Sequence, residues 1–279
     1  ERERERGMMM AGSGAAPAAP TDEGRSLTPL KDRVAIVTGA TGGIGTAVAR
    51  HLASLGAKVV VNFLGDPAPA HLLVSQINGV AGDPRAVAVE ADVSDESQVR
   101  SLFDAAEAAF GPALHILVTT AAVIDASYPS LAETTAESFD RMFAANARGT
   151  FLCCREAANR LVRGGGGRIV TFSSSGVGSL RPGYAAYAAT KAAVETMTRV
   201  LARELRGTGI TANAVAPGST ASPMFYAGKT EADVAAYAGE NPLGRLGQPE
   251  DVAPVVGFLA SDAGGWVNAQ VIRVNGGNI

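Results

Sequence analysis

Tyr187 and Lys191 stand four residues apart in an Ala-rich stretch that reads as a helix, Ala185–Leu205, so their side chains leave one face. A tyrosine hydroxyl, with an ordinary pKa of about 10, is a poor acid–base group at neutral pH. An adjacent ammonium stabilises the phenolate and lowers that value. Ser174 follows the apolar run Arg168–Phe172 and falls at the carboxyl end of a strand, the ligand side of an α/β sheet. Its hydroxyl can hold a carbonyl oxygen there while Tyr187 delivers the proton. These three residue types suit proton transfer at a carbonyl.

A second group lies near the start of the regular pattern. The run Val34–Thr38 leads straight into Gly39-Ala40-Thr41-Gly42-Gly43-Ile44-Gly45 and then a helix. Glycine permits the tight turn and lets backbone N–H groups approach a pyrophosphate at the positive end of that helix. Gly39, Thr41, Gly43, Ile44 and Gly45 are accordingly assigned to cofactor binding. A Gly-rich turn carries weight only in this strand–turn–helix setting. The next strand ends in Asn62 and Phe63, where an acidic side chain would hold the ribose 2′-OH of NAD(H). The missing acid favours NADP(H) over NAD(H). Asp66, followed by Pro67, is better explained as a helix cap.

The elements that must position these residues are seven short apolar runs: Val34–Thr38, Lys58–Asn62, Ala86–Glu90, Ile116–Thr119, Arg168–Phe172, Thr211–Val215 and Val271–Val274. Amphipathic segments separate them, at Gly43–Leu55, Ala68–Ile77, Glu96–Phe110, Glu137–Val162, Ala185–Leu205 and Glu250–Ala260. Continuous rather than alternating apolar strands fit a parallel sheet covered on both faces. The fold expected is α/β, a single Rossmann-type doubly wound parallel sheet of about seven strands flanked by helices. Thr134 and Glu137 have capping-box spacing ahead of the fourth helix. The stretch 217–248 reads as a long irregular loop suited to a lid or substrate element. Met224 and Phe225 within it, with Tyr184 and Ser174, are assigned to the substrate pocket.

Composition narrows the function classes. The chain has 279 residues, 47% of them hydrophobic and 18% charged, with a net charge of −3, which offers no basic surface to a nucleic acid. The two cysteines, Cys153 and Cys154, are adjacent, so they close no useful loop and read as helix packing residues in a reducing compartment. Three scattered histidines have no metal-ligand spacing, and no metal is expected. No apolar run approaches the roughly 20 residues that span a bilayer. Residues 1–29 read as a disordered leader and 30–279 as the dinucleotide-binding catalytic domain. Acidic residues in the leader oppose a plastid transit peptide, so the expected location is cytoplasmic, with plastid the alternative.

Taken together these motifs resemble the short-chain dehydrogenase/reductase family, in its shorter branch, from about Leu30 to Gly277. The matching segments are Thr38-Gly39-x3-Gly43-x-Gly45, Asp92-Val93, Asn146, Ser174, Tyr187-x3-Lys191 and Pro217-Gly218. The resemblance implies hydride transfer from a nicotinamide to a carbonyl carbon. Tyr187 would be the acid, and Lys191 would lower its pKa and hold the nicotinamide ribose. Asn146 would position a water in a proton relay, Asp92 and Val93 would touch the adenine, and Pro217-Gly218 would lie beside the nicotinamide. Plant-type aldehyde reductases, polyhydroxynaphthalene reductases and 3-oxoacyl-carrier reductases are the most similar branches, and they imply NADPH and a homodimer or homotetramer. The function expected is reduction of a small or medium apolar aldehyde or ketone. The alternatives are a 3-oxoacyl-thioester reductase and a catalytically weak, cofactor-binding regulatory protein. Two departures stand out. Thr119-Thr120-Ala121-Ala122 replaces the usual Asn-Asn-Ala-Gly, and Gly42 stands where NADP-dependent relatives often carry Arg or Lys.

Overall fold

In the computed structural model, residues 28–81 and 84–279 are described; the leader expected at 1–29 falls, except for its last two residues, outside them. Seven strands, β1 (Val34–Thr38), β2 (Lys58–Phe63), β3 (Ala86–Glu90), β4 (Leu114–Thr119), β5 (Arg168–Phe172), β6 (Thr211–Pro217) and β7 (Val271–Val274), form one sheet. Their order is β3-β2-β1-β4-β5-β6-β7, and every pairing is parallel. The order reverses between β1 and β4, and in such sheets the crevice beyond the strand ends at that point receives ligands.

The apolar strands are explained by two hydrophobic layers. Along β1, Ala35 and Val37 join one core cluster while Val34 and Ile36 join the other. The first cluster is completed by α1 (Gly43–Ser54), α2 (Ala68–Ala81) and α10 (Pro249–Ala260), through Val48, Leu52, Leu73 and Val256. On the opposite face lie α3 (Glu96–Phe110), α5 (Gly149–Arg160) and α7 (Ala185–Glu204), contributing Leu102, Phe103, Leu152 and Ala202. Each fully buried Val, Leu or Phe side chain stabilises the fold by about 1.5–3 kcal/mol. Leu30 is already fully buried, and its N–H donates to Leu55 O.

Three local expectations are corrected. The single fourth helix becomes α4 (Ala136–Met142), a π turn (Phe143–Arg148) and α5. Its N-cap is Thr135, whose hydroxyl accepts from Ser138 N, whereas the Thr134 hydroxyl donates to Ser130 O. The cap therefore falls one residue later than expected, and the Ser138 hydroxyl three residues on donates to Asp125 instead of reaching back as a capping box would. The stretch 217–248 is not irregular throughout, because Pro217 completes β6 and two helices follow. The first is α8 (Pro223–Tyr226), capped by Ser222; the second is α9 (Glu231–Glu240), with a capping box between Thr230 and Asp233. A four-residue helix, α6 (Gly176–Ser179), also follows β5.

Candidate active site

The glycine turn is built to leave room rather than fill it. Gly39 has φ +59°, and a Cβ there would lie 2.7 Å from Ala121 Cα. A Cβ on Gly45 would lie 2.3 Å from Gly39 O and 2.7 Å from Thr120 Oγ1. At the α1 N-terminus, Gly42 gives no side-chain cap, and no acid occupies the first turn. The leading N–H groups of α1 are thus free for an external acceptor, which fits the pyrophosphate of a dinucleotide. Thr41 and Ile44 complete this turn, and Ile44 also lines the main cleft.

Thr120, from the segment that departs from the family's usual Asn-Asn-Ala-Gly, secures the turn. Its hydroxyl donates to Thr38 O, and Ala121 N donates to Thr38 Oγ1 at 3.3 Å. The departure therefore retains a link between the β4 loop and the turn, and Ala122 lines the cleft.

The second-strand residues assigned to cofactor contact are tied into the protein. Asn62 is buried; its Oδ1 accepts from Gly39 N at 3.2 Å. Its Nδ2 donates to Ala91 O at 3.0 Å and to Val89 O and Phe63 O at 3.3 Å. Both ends of the carboxamide bond backbone, so Asn62 shapes the turn. Phe63 is core, edge-on to His71. Asp92 caps its own turn by accepting from Ser94 N and Ser94 Oγ, and Val93 packs against Gly149.

The catalytic candidates meet in one cleft beyond the carboxyl ends of the strands. Ser174, Tyr187, Lys191, Pro217 and Gly218 all line it. Ser174 lies close enough to act on the Tyr187 hydroxyl, and its Oγ accepts from Gly176 N at 3.0 Å. Its neighbours point elsewhere: Ser173 Oγ donates to Glu195 at 2.7 Å and Ser175 Oγ to Ala216 O. Lys191 is buried, with Nζ donating to Phe172 O at 2.9 Å and lying 5.7 Å from the Tyr187 ring centre. Two donors of that ammonium remain for a ligand.

Asn146 sits on the π turn, a feature common at functional sites. It is fully buried and clamps the loop after β4: Oδ1 accepts from Val123 N and Nδ2 donates to Val123 O, each at 2.8 Å. Nδ2 also donates to Thr190 Oγ1 at 3.2 Å, next to Lys191. The π register shows as Gly149 N donating to Ala144 O, five residues back, while Thr150 Oγ1 donates to Asn146 O.

Burial opposes the lowering of the Tyr187 pKa expected from Lys191. Tyr187 is pushed up to about 12, chiefly by burial; the Ser174 hydrogen bond opposes this and Tyr128 adds to it. Burial also pulls Lys191 down to about 8. An unfolded lysine holds its proton to about 10.4, so from about pH 8 upward the unfolded chain binds more protons and stability rises with pH. The Tm of the wild type minus that of Lys191→Met should therefore increase between pH 8 and 10. A flat difference would contradict the buried, charged Lys191.

Four of the five tyrosines, Tyr128, Tyr184, Tyr187 and Tyr237, line the same cleft. Tyr184 lies 5.1 Å from Tyr128 and 6.3 Å from Tyr187 between ring centres, and its hydroxyl is 3.2 Å from that of Tyr237. Burial and these neighbours raise its pKa, so it stays neutral. Met224 and Phe225 line the cleft as expected. Tyr128, Arg181, Lys229 and Tyr237 were not singled out by sequence reasoning, and no local spacing marks them. Cys153 and Cys154 are buried, with burial pushing Cys154 up to about 12 and Cys153 higher. Neither can serve as a thiolate at neutral pH. No metal-holding cluster occurs among the described residues.

The family model described as enoyl-(acyl carrier protein) reductase matches residues 39–278. A short-chain type dehydrogenase/reductase of Picea abies is 58% identical, over 90% of this chain and 93% of the relative. The chain belongs to the short-chain dehydrogenase/reductase family. It is an oxidoreductase of that type, with the Rossmann-like sheet expected. Another member, the NADPH-dependent aldehyde reductase-like protein, chloroplastic, of Arabidopsis thaliana, is 55% identical over 90% of this chain and 96% of its own. Among solved members, a short-chain dehydrogenase of Burkholderia cenocepacia in complex with NADP superposes with a TM-score of 0.83. It is 35% identical, covering 90% of this chain and 99% of that one.

Proposed function

We propose that this chain reduces the carbonyl group of a small or medium aldehyde or ketone of apolar body, using NADPH. The observation that carries the reading is the convergence of Tyr187, Ser174 and Lys191 in one cleft beside the uncapped glycine turn. The bound nicotinamide would supply the hydride. The pyrophosphate would rest on the α1 N-terminus, held open by Gly39, Gly43 and Gly45, with the ribose hydroxyls on the spare donors of Lys191. Asp92 and Val93 would border the adenine, and Pro217-Gly218 the nicotinamide. Ser174 holds the carbonyl oxygen, and Tyr187, protonated at neutral pH, gives that oxygen its proton. Lys191 offsets the charge left on the phenolate. Asn146 positions the β4 loop and the Lys191 side of the site, where a relay water would refill Tyr187.

The named NADPH dependence of the Arabidopsis relative and the NADP bound in the Burkholderia structure support this cofactor. So does the absence of a free carboxylate on the β2 end. The decisive experiment assays aldehydes, ketones and acyl thioesters with NADPH and with NADH. A tenfold or greater advantage for NADPH in kcat/KM with aldehydes is expected. A clear NADH preference would overturn the cofactor assignment, and faster turnover of 3-oxoacyl thioesters would move the substrate class to the acyl-carrier alternative. Tight NADPH binding with no carbonyl turnover would leave a regulatory protein. The Thr120 bond to the turn speaks for an intact site.

The reading extends to a homodimer or homotetramer, supported by exposed Phe151 on α5 and fully exposed Trp266, and light scattering would measure it. No helix among the described residues is long and apolar enough to cross a membrane. The acids of the leader favour the cytoplasm, while the chloroplastic name of the Arabidopsis relative favours the plastid.

A further inference from the structure

The substrate cleft contains a cation that the carbonyl chemistry does not use. Lys229, between α8 and α9, carries its Nζ 4.0 Å from the Tyr128 ring centre, 4.8 Å from Phe225, 5.6 Å from Tyr237 and 5.9 Å from Tyr184. The one hydrogen-bond partner of that ammonium among the described residues is the Tyr128 hydroxyl. No carboxylate oxygen of a described residue comes within ion-pair distance of it. Asp233, the acid that feels its charge, is committed to the Thr230 cap through Thr230 N and Oγ1. Arg181, the other cation lining the cleft, is paired with Glu240 and lies over the Tyr237 ring at 4.4 Å. The aromatic faces hold an ammonium without neutralising it.

We propose that Lys229 sets substrate specificity by receiving an anionic oxygen on the carbonyl compound, whose planar body lies among Tyr128, Tyr184 and Phe225. The proposal rests on the carbonyl-reductase reading and adds to it a charged end for an otherwise apolar substrate. An anion entering this site finds a cation already stripped of part of its water and ordered by four rings. A neutral substrate of the same shape gains only the stacking. Lys229 is distinct from the proton-transfer group: its Nζ bonds the Tyr128 hydroxyl, whereas the cation beside Tyr187 is Lys191.

The test compares matched pairs in the wild type, Lys229→Met and Lys229→Arg. One pair is 4-formylbenzoate and its methyl ester; the other is an acidic nitrophenol aldehyde, ionised at neutral pH, and its methyl ether. The wild type should favour the anion of at least one pair, and Lys229→Met should lose about 10-fold or more in kcat/KM for that anion. It should change less than about threefold for the neutral partner. Lys229→Arg should retain most of the preference. The pair that responds distinguishes a carboxylate from a phenolate. Equal loss for anion and neutral partner, or no preference in the wild type, would overturn the proposal. Failure of every substrate, neutral ones included, would instead strike the reductase reading. A binding readout then decides about Lys229: calorimetry with terephthalate should show binding to wild type that weakens at least tenfold in Lys229→Met, and equal affinities would end it.

Discussion

Tyr187→Phe should lower kcat for aldehyde reduction by about three orders of magnitude, while the affinity for NADPH should change little. General acid catalysis commonly contributes 10²–10⁴-fold, and no second proton donor is placed to substitute. Ser174 accepts from Gly176 N and holds the carbonyl oxygen, but an alcohol does not release its proton at neutral pH. The neutral Tyr184 points its hydroxyl at Tyr237. The phenyl ring preserves the aromatic packing, so the loss falls on proton transfer and not on the shape of the cleft. Steady-state kinetics with a neutral aldehyde, beside fluorescence titration of NADPH, separates the two. Equal turnover by wild type and variant would remove Tyr187 from the mechanism.

Gly45→Ala is expected to have the next largest effect, and through different physics. The added methyl would sit 2.3 Å from Gly39 O, a backbone atom that cannot rotate away. Relief requires movement of the turn or of Thr120, whose hydroxyl lies 2.7 Å from the new carbon. Overpacking of this kind costs about 1–3 kcal/mol of stability. Displacing the α1 N–H groups from a pyrophosphate should raise the Kd for NADPH about 100-fold. In thermal melts, NADPH at 100 times its Kd stabilises the wild type by about 2.7 kcal/mol. At that same concentration the variant should show little shift. A variant whose Tm responds to NADPH as the wild type does would contradict the assignment of the turn.

The residues that declare themselves in sequence are those whose neighbours in space are also neighbours in the chain. Tyr187 and Lys191 share a helix face because a helix returns every four residues, and the glycine turn is one continuous segment. The strands are legible because β1 is buried on both faces at every position and is apolar from Val34 to Val37. The enclosure around Lys229 has no such signature. Tyr128 comes from the β4 loop, Phe225 from α8 and Tyr237 from α9, and only the packing of these segments brings the rings together. Asn62 illustrates another limit. Its type shows that no acid is present, but not that its amide is consumed by Gly39, Val89 and Ala91. The π turn at Asn146 is a shift of backbone hydrogen-bond register, which apolar periodicity does not record.

The sheet order has a consequence for how the chain acquires its fold. Neighbouring strands β1 and β4 pair Val37 with Val118, so β2, β3 and three helices lie within the intervening loop. Closing a long loop costs entropy before its contacts repay it, and topologies rich in distant pairings fold slowly. The glycine turn is at the end of β1, and Thr120 and Ala121, which brace it, follow β4. The nucleotide cradle therefore straddles the seam that needs this distant pairing, and refolding followed by NADPH fluorescence would time the closure of that seam rather than the appearance of helix.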